Sequence, residues 1–198
     1  MGRAIGIIQS EHRGLAAILH TLEQLLRAQR EHGGDPDFSV YRAILDYLEQ
    51  FPDRFHHPKE DAYLFRALAR RCPEMREVLD RLRGEHDHGY HMTAQLREAL
   101  EAWESDRARG FDAFDRLASR YVDEERKHIR LEEQEVLPAA ARALTDEDWA
   151  VIDAAFVENG DPLFGAEPSA EFRKLFSRVV ALVPSPLGLG PSRPAAGD

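Results

Sequence analysis

Apolar residues recur along most of this chain at alternating steps of three and four, the spacing that gathers them on one face of an α-helix. Between about residues 4 and 32 the seam reads Ile5, Ile8, His12, Leu15, Leu19, Leu22 and Leu26, and Gly33-Gly34-Asp35-Pro36 stops it. A second run, about 37–51, places Tyr41, Ile44, Leu48 and Phe51 on one face. Pro52 is expected to interrupt this helix. Its continuation starts near Pro58, a favoured first-turn position for proline, with His56, Glu60, Tyr63 and Ala67 in line. The third seam, about 74–108, is Met75, Leu79, Leu82, His86, Gly89, Thr93, Leu96, Leu100 and Trp103, and it breaks at Gly110. The fourth, about 111–143, carries Phe114, Ala118, Tyr121, Glu125, His128 and Glu132. Thr145 reads as the cap of a fifth helix, about 146–158, and a sixth is expected over about 169–182. Long helices joined by short connections predict an all-α chain. Residues 1–143 should form an antiparallel up-down four-helix bundle. Two additional C-terminal helices, 144–183, should pack outside it, ahead of a flexible tail, 184–198.

The polar interruptions share a pattern. Each long helix brings one histidine into an otherwise apolar seam: His12, His56, His86 and His128. Two helices add a glutamate one turn later, so His56 with Glu60 and His128 with Glu132 form two His-x-x-x-Glu pairs on single helix faces. In an antiparallel bundle, equal distance from a shared turn means equal height. His12 and His56 both lie 22 residues from the turn near 34, and the worst mismatch among the helix pairs is 4 residues, roughly 6 Å at about 1.5 Å per residue. A lone seam histidine is usually a core residue with one hydrogen bond. Four at one height with two buried carboxylates point to metal, because unpaired ionised glutamates in an apolar layer would each cost several kcal/mol. His20, His32, His88 and His91 fall off the seams and read as surface residues. His57 adjoins His56 and replaces it if the start of that helix is rotated by one residue.

Charge narrows the partners. The net charge is −10, with no offsetting cluster of Lys and Arg, which argues against nucleic acid or an anionic membrane surface. No apolar run approaches the ~20 residues a membrane helix needs. The single cysteine, Cys72, cannot pair within the chain, which makes a reducing, cytoplasmic setting the expectation. Imidazole and carboxylate donors without thiolate suit iron, manganese or zinc, and six side chains exceed what one tetrahedral zinc uses. Two histidines per metal with two shared carboxylates suit a pair of iron ions.

The segments EHRGL, FHHPKED, EHDHG and KHIRLEEQEVLP resemble those of the hemerythrin family, in its broad bacterial branch of HHE cation-binding proteins. The resemblance covers about residues 5–143. It implies a four-helix bundle around a non-haem di-iron centre that binds dioxygen or related small molecules. Carried over by position, the ligands are His12, His56, Glu60, His86, His128 and Glu132. With Pro58 fixing the first turn of the helix, His57 is expected to cap that helix or to support the site. Two features depart from the oxygen carriers of the family. The third helix lacks a second histidine four residues from His86, where Leu82 and Tyr90 stand, so Tyr90 is expected in or beside an open metal position. The last carboxylate is a glutamate four residues after its histidine, not an aspartate five after. A ferritin-like reading through Glu85-x-x-His88 and Glu125-x-x-His128 is weaker, since the first pair points away from the seam and the first two helices lack matching glutamates.

Three functions follow as alternatives. A binding or sensing module would take dioxygen, nitric oxide or peroxide at the metals, or report iron supply. An enzyme (a peroxidase, oxidase or nitric oxide reductase) would need proton donors, for which Tyr90, Tyr121 and His57 are the candidates. A purely structural metal would need no open position. The binding module is the favoured expectation. The sequence leaves enzyme activity and oligomeric state open, a homodimer included.

Overall fold

The computed structural model describes residues 2–157, and these contain helices but no strand. Helix α1 spans Arg3–His32 and α2 spans Phe38–Gln50. The second arm of the bundle then continues without a break. A π-helical turn, Pro52–His56, leads into the short α3, His57–Lys59. A second π segment, Glu60–Phe65, leads into α4, Arg66–Arg71. A 3₁₀ turn, Pro73–Met75, opens α5, Arg76–Ser105. The fourth arm is α6, Phe111–Leu131, a third π segment, Glu132–Val136, and α7, Leu137–Ala143. Helix α8, Asp146–Val157, follows. The expected sixth helix and tail lie outside the described residues.

The four arms pack as a ring, α1 on α2, α2 on α5, α5 on α6 and α6 back on α1, which is the up-down bundle the short connections demand. Helix α8 lies against α1 outside the ring. Its Asp153 accepts a 2.7 Å hydrogen bond from the backbone N–H of Ala4, satisfying an orphan donor of the first turn of α1. Thr145 and Asp148 exchange hydrogen bonds at the start of α8: Asp148 N–H donates to Thr145 Oγ1, and Thr145 N–H donates to Asp148 Oδ2. This is the expected cap in its reciprocal form.

The interior is two apolar cores. One is built by Leu15–Leu26 of α1, α2, the second half of α5 and the first half of α6, and it centres on Trp103 packed against Phe38, Tyr41 and Phe114. The other joins the start of α1 to Leu64–Leu68, Leu79, Leu82, Val136–Ala140 and the buried face of α8. Between them lies a belt of buried polar residues.

Two expectations about the second arm change. Pro52 does not end the helix: the chain widens there, with His56 N–H bonded to Phe51 O and His57 N–H to Pro52 O, five residues back. Tyr63 is not in the seam; it is 40% exposed, and Leu64, Phe65 and Leu68 are buried in its place. An i→i+5 turn inserts one extra residue per turn, so each π segment advances the buried face by about one position relative to a regular helix.

Candidate metal centre

The polar belt contains every residue that the sequence suggests as a ligand. His12, His56, Glu60, His86, His128 and Glu132 are all buried, Glu60 and Glu132 almost completely. His57 joins them at 4% exposure. In a regular helix consecutive residues point about 100° apart. Just after the wide turn at Pro52–His56, the two neighbouring imidazoles both face inward and diverge. His56 turns toward His12, with ring centroids 5.1 Å apart. His57 stacks on His86 at 4.1 Å and meets His128 edge-on at 5.4 Å.

Potential ligand atoms gather into two overlapping groups, each within 4.8 Å. One is His12, His56, Glu60 and Glu132; the other comprises His86 and His128 with Glu60 and Glu132, and His57 lies within the same limit of His86 and His128. The carboxylates belong to both groups, and each divides its oxygens between them. Glu60 Oε1 is 3.4 Å from His56 Nε2 and 4.0 Å from His12 Nε2, while its Oε2 is 3.8 Å from His86 Nε2. Glu132 Oε2 is 3.1 Å from His12 Nε2, and its Oε1 is 3.5 Å from His128 Nε2 and 3.9 Å from His86 Nε2. Both begin π segments, Glu60–Phe65 and Glu132–Val136, the kind of local helix widening that recurs at functional sites.

The imidazoles are held from behind. His56 Nδ1 donates to Glu11 at 2.7 Å, His12 Nδ1 to Glu133 at 3.2 Å, His86 Nδ1 to Asp61 at 3.1 Å and His128 Nδ1 to Glu85 at 3.1 Å. Placing the proton on Nδ1 leaves the Nε2 lone pair turned inward, the arrangement that carboxylates impose on metal-binding histidines. Glu11 is fully buried for this purpose. None of the four carboxylates is assigned this role by the sequence, where Glu85 enters only in the weaker ferritin-like reading. The available signal was their position beside or one turn from a seam histidine, shared by many surface acids.

Electrostatics test whether the belt suits a cation. His12 Nε2 and all four carboxylate oxygens of Glu60 and Glu132 are buried without a hydrogen-bond partner. Burial, reinforced by the charge of Glu132, holds the Glu60 carboxyl well above the usual range. Burial would raise Glu132 as well, but the imidazoles of His128 and His12 outweigh it and hold that carboxyl well below. Burial would also lower His12, yet the adjoining carboxylates of Glu132 and Glu133 raise it to about 9. His57 is depressed by burial and by the neighbouring His86 and His128. Paired carboxylates and inward-facing imidazole nitrogens are the donor set a divalent or trivalent cation satisfies.

Other residues separate from this layer. His20, His32, His88 and His91 are at the surface as expected. Tyr90, expected beside the metals, is instead 57% exposed with its ring against His91, because it lies on the outer face of α5. Thr93 donates to Asp53 and to the backbone carbonyl of Tyr90. Glu125 and Tyr121 are buried one and two turns before His128, and each keeps a side-chain oxygen without a hydrogen-bond partner. Burial raises Glu125 to about 7.

Helical bundle, buried histidine–glutamate belt and paired carboxylates define a cation-binding bundle. The family model for the hemerythrin HHE cation-binding domain matches residues 3–140, and the chain belongs to that family. No curated protein and no solved structure matches it. No described helix is long and apolar enough to cross a membrane.

Proposed function

We propose that this chain is a non-haem di-iron protein that binds or senses dioxygen, nitric oxide, peroxide or iron itself. The observation that carries this reading is the division of carboxylate oxygens: Glu60 and Glu132 each turn one oxygen to either imidazole group. Two carboxylates shared in this way are suited to bridging two ions rather than wrapping one. His12 and His56 would complete one position, and His57, His86 and His128 the other. His57 thereby supplies from the second arm the histidine that the third helix lacks at the position expected from the oxygen carriers. The iron would supply a binding point and redox centre for the small ligand, while the chain orients its donors and excludes bulk water.

The donor count favours a reactive centre over a structural staple. The first position draws on two imidazoles and two carboxylates, the second on three imidazoles and the same carboxylates. Iron takes about six donors, so open positions are left for solvent or a diatomic ligand. The single cysteine supports a reducing compartment, the cytoplasm, as its setting. Metal analysis after ferrous loading should give about two irons per chain, and the absorption spectrum should change on adding azide or nitric oxide. A single tightly held zinc, or iron that ignores both ligands, overturns the reading.

A further inference from the structure

A buried metal layer needs a way in, and the fold leaves few directions. Along the bundle axis the layer is covered on both sides by apolar cores. All four lateral seams are crossed by polar bonds near the layer. Between α1 and the second arm, Glu11 grips His56. Between α1 and α6, Glu133 grips His12 and Arg126 forms a two-bond pair with Glu23. Between the second arm and α5, Arg97 ties Asp46 and Glu49, and Asp61 reaches His86.

The fourth seam, between α5 and α6, is crossed by Glu85 bonded to His128 and by His88 beside Arg120 and Glu124, but between these contacts it holds a cleft of about 290 Å³. Its rim includes Gly84 and Arg120, both exposed, and its floor is Gly89, Tyr121, Glu125 and the ligand histidine His128, all buried. Two glycines inside one helix cost roughly 1 kcal/mol each relative to alanine, so α5 forgoes stability here. Both absences open the cleft. A side chain at Gly84 would meet nothing within 4 Å, and one at Gly89 would come within 3.3 Å of Glu125 Oε1. The floor is polar and not fully bonded: Glu125 Oε2 and the Tyr121 hydroxyl have no hydrogen-bond partner. They offer a small molecule an acceptor and a donor next to His128.

We propose that the α5–α6 cleft is the access route by which diatomic and triatomic ligands reach the metal layer, with Gly84 as its outer aperture and Gly89 as its inner one. The inference rests on the di-iron reading above. It adds the path and the residues that keep it open. A ligand entering here meets Tyr121 and Glu125 before it reaches the metal layer.

The test is the association rate of nitric oxide and of azide with the iron-loaded protein, followed by stopped flow. Gly84→Leu plugs the rim without a clash and raises helix propensity, so the variant should fold. Gly6→Leu, on exposed α1 with equally open surroundings, controls for the substitution itself. Gly84→Leu should slow both ligands at least tenfold while iron content, absorption spectrum and final amplitude match wild type, and Gly6→Leu should leave the rates unchanged. Gly89→Ala, which presses on Glu125, should slow them less. Unchanged rates in Gly84→Leu with iron intact overturn the route. If the iron-loaded wild type binds neither ligand, the di-iron reading fails in the parent protein, and the route falls with it.

Discussion

At the scale of single residues, the centre is a division of labour between donors and the groups that aim them. His56 and His57 are neighbours in sequence but face different imidazole groups, so on the di-iron proposal removing either should cost one ion. His56→Ala and His57→Ala should each retain about one iron per chain, measured by metal analysis; full loading of His57→Ala would restrict that residue to a supporting role. Glu11 bonds His56 Nδ1 at 2.7 Å, and its loss should act through that ring. Glu11→Gln should weaken iron binding about 10- to 100-fold, the usual effect of removing a carboxylate behind a ligand histidine, in a competition assay with a chelator. His12, His86 and His128 were legible in the sequence because they sit on regular helices whose seams can be counted. His57 was not placed, since its inward turn depends on a π segment that no periodicity announces. The acids behind the rings were hidden by being ordinary: Glu85, Asp61 and Glu133 look like surface charge until the histidines are located in space.

At the scale of elements, the π turns set the register. The four arms, their direction and nearly all their ends followed from apolar spacing, from Gly-Pro stops and from the Thr145 cap. Pro52 misled because it reads as a break, whereas a residue without an N–H is well placed to open a wide turn. If that turn aims His56 and His57, deleting one exposed residue within it should rotate the following segment by about 100°. Deletion of Phe55 should bring iron below one per chain while the far-ultraviolet circular dichroism stays helical. Retained iron would show that the imidazoles do not depend on the turn. The α5–α6 connection makes a separate prediction. A Cβ on Gly110 would fall 2.2 Å from the Cα of Trp103, so the hairpin requires a residue without a side chain. Gly110→Ala should destabilise the fold by about 1–3 kcal/mol in urea, as overpacking does, with iron stoichiometry unchanged.

At the scale of the whole molecule, a cation held in the belt would link metal binding to folding. A cation bound only by the native state stabilises it by about 2.7 kcal/mol at a hundredfold excess over Kd. For a chain of this length each kcal/mol moves the melting temperature by about 2–4 °C. Stripping the iron should therefore lower Tm by about 5–10 °C in a calorimetric scan, and reloading should restore it; an unchanged Tm would mean that the belt is stable without its ions. The two apolar cores give this linkage a further consequence. They are joined by long helices but separated by a layer whose carboxylates and imidazoles bond poorly to one another without a cation. Loaded, the molecule should melt as one cooperative unit. Stripped, the waist ceases to couple the halves, and the van't Hoff enthalpy should fall below the calorimetric one. Amide exchange should then divide the chain into two foldons, with the backbone around Leu64, Val136 and Ile152 opening apart from that around Leu45, Leu96 and Phe114.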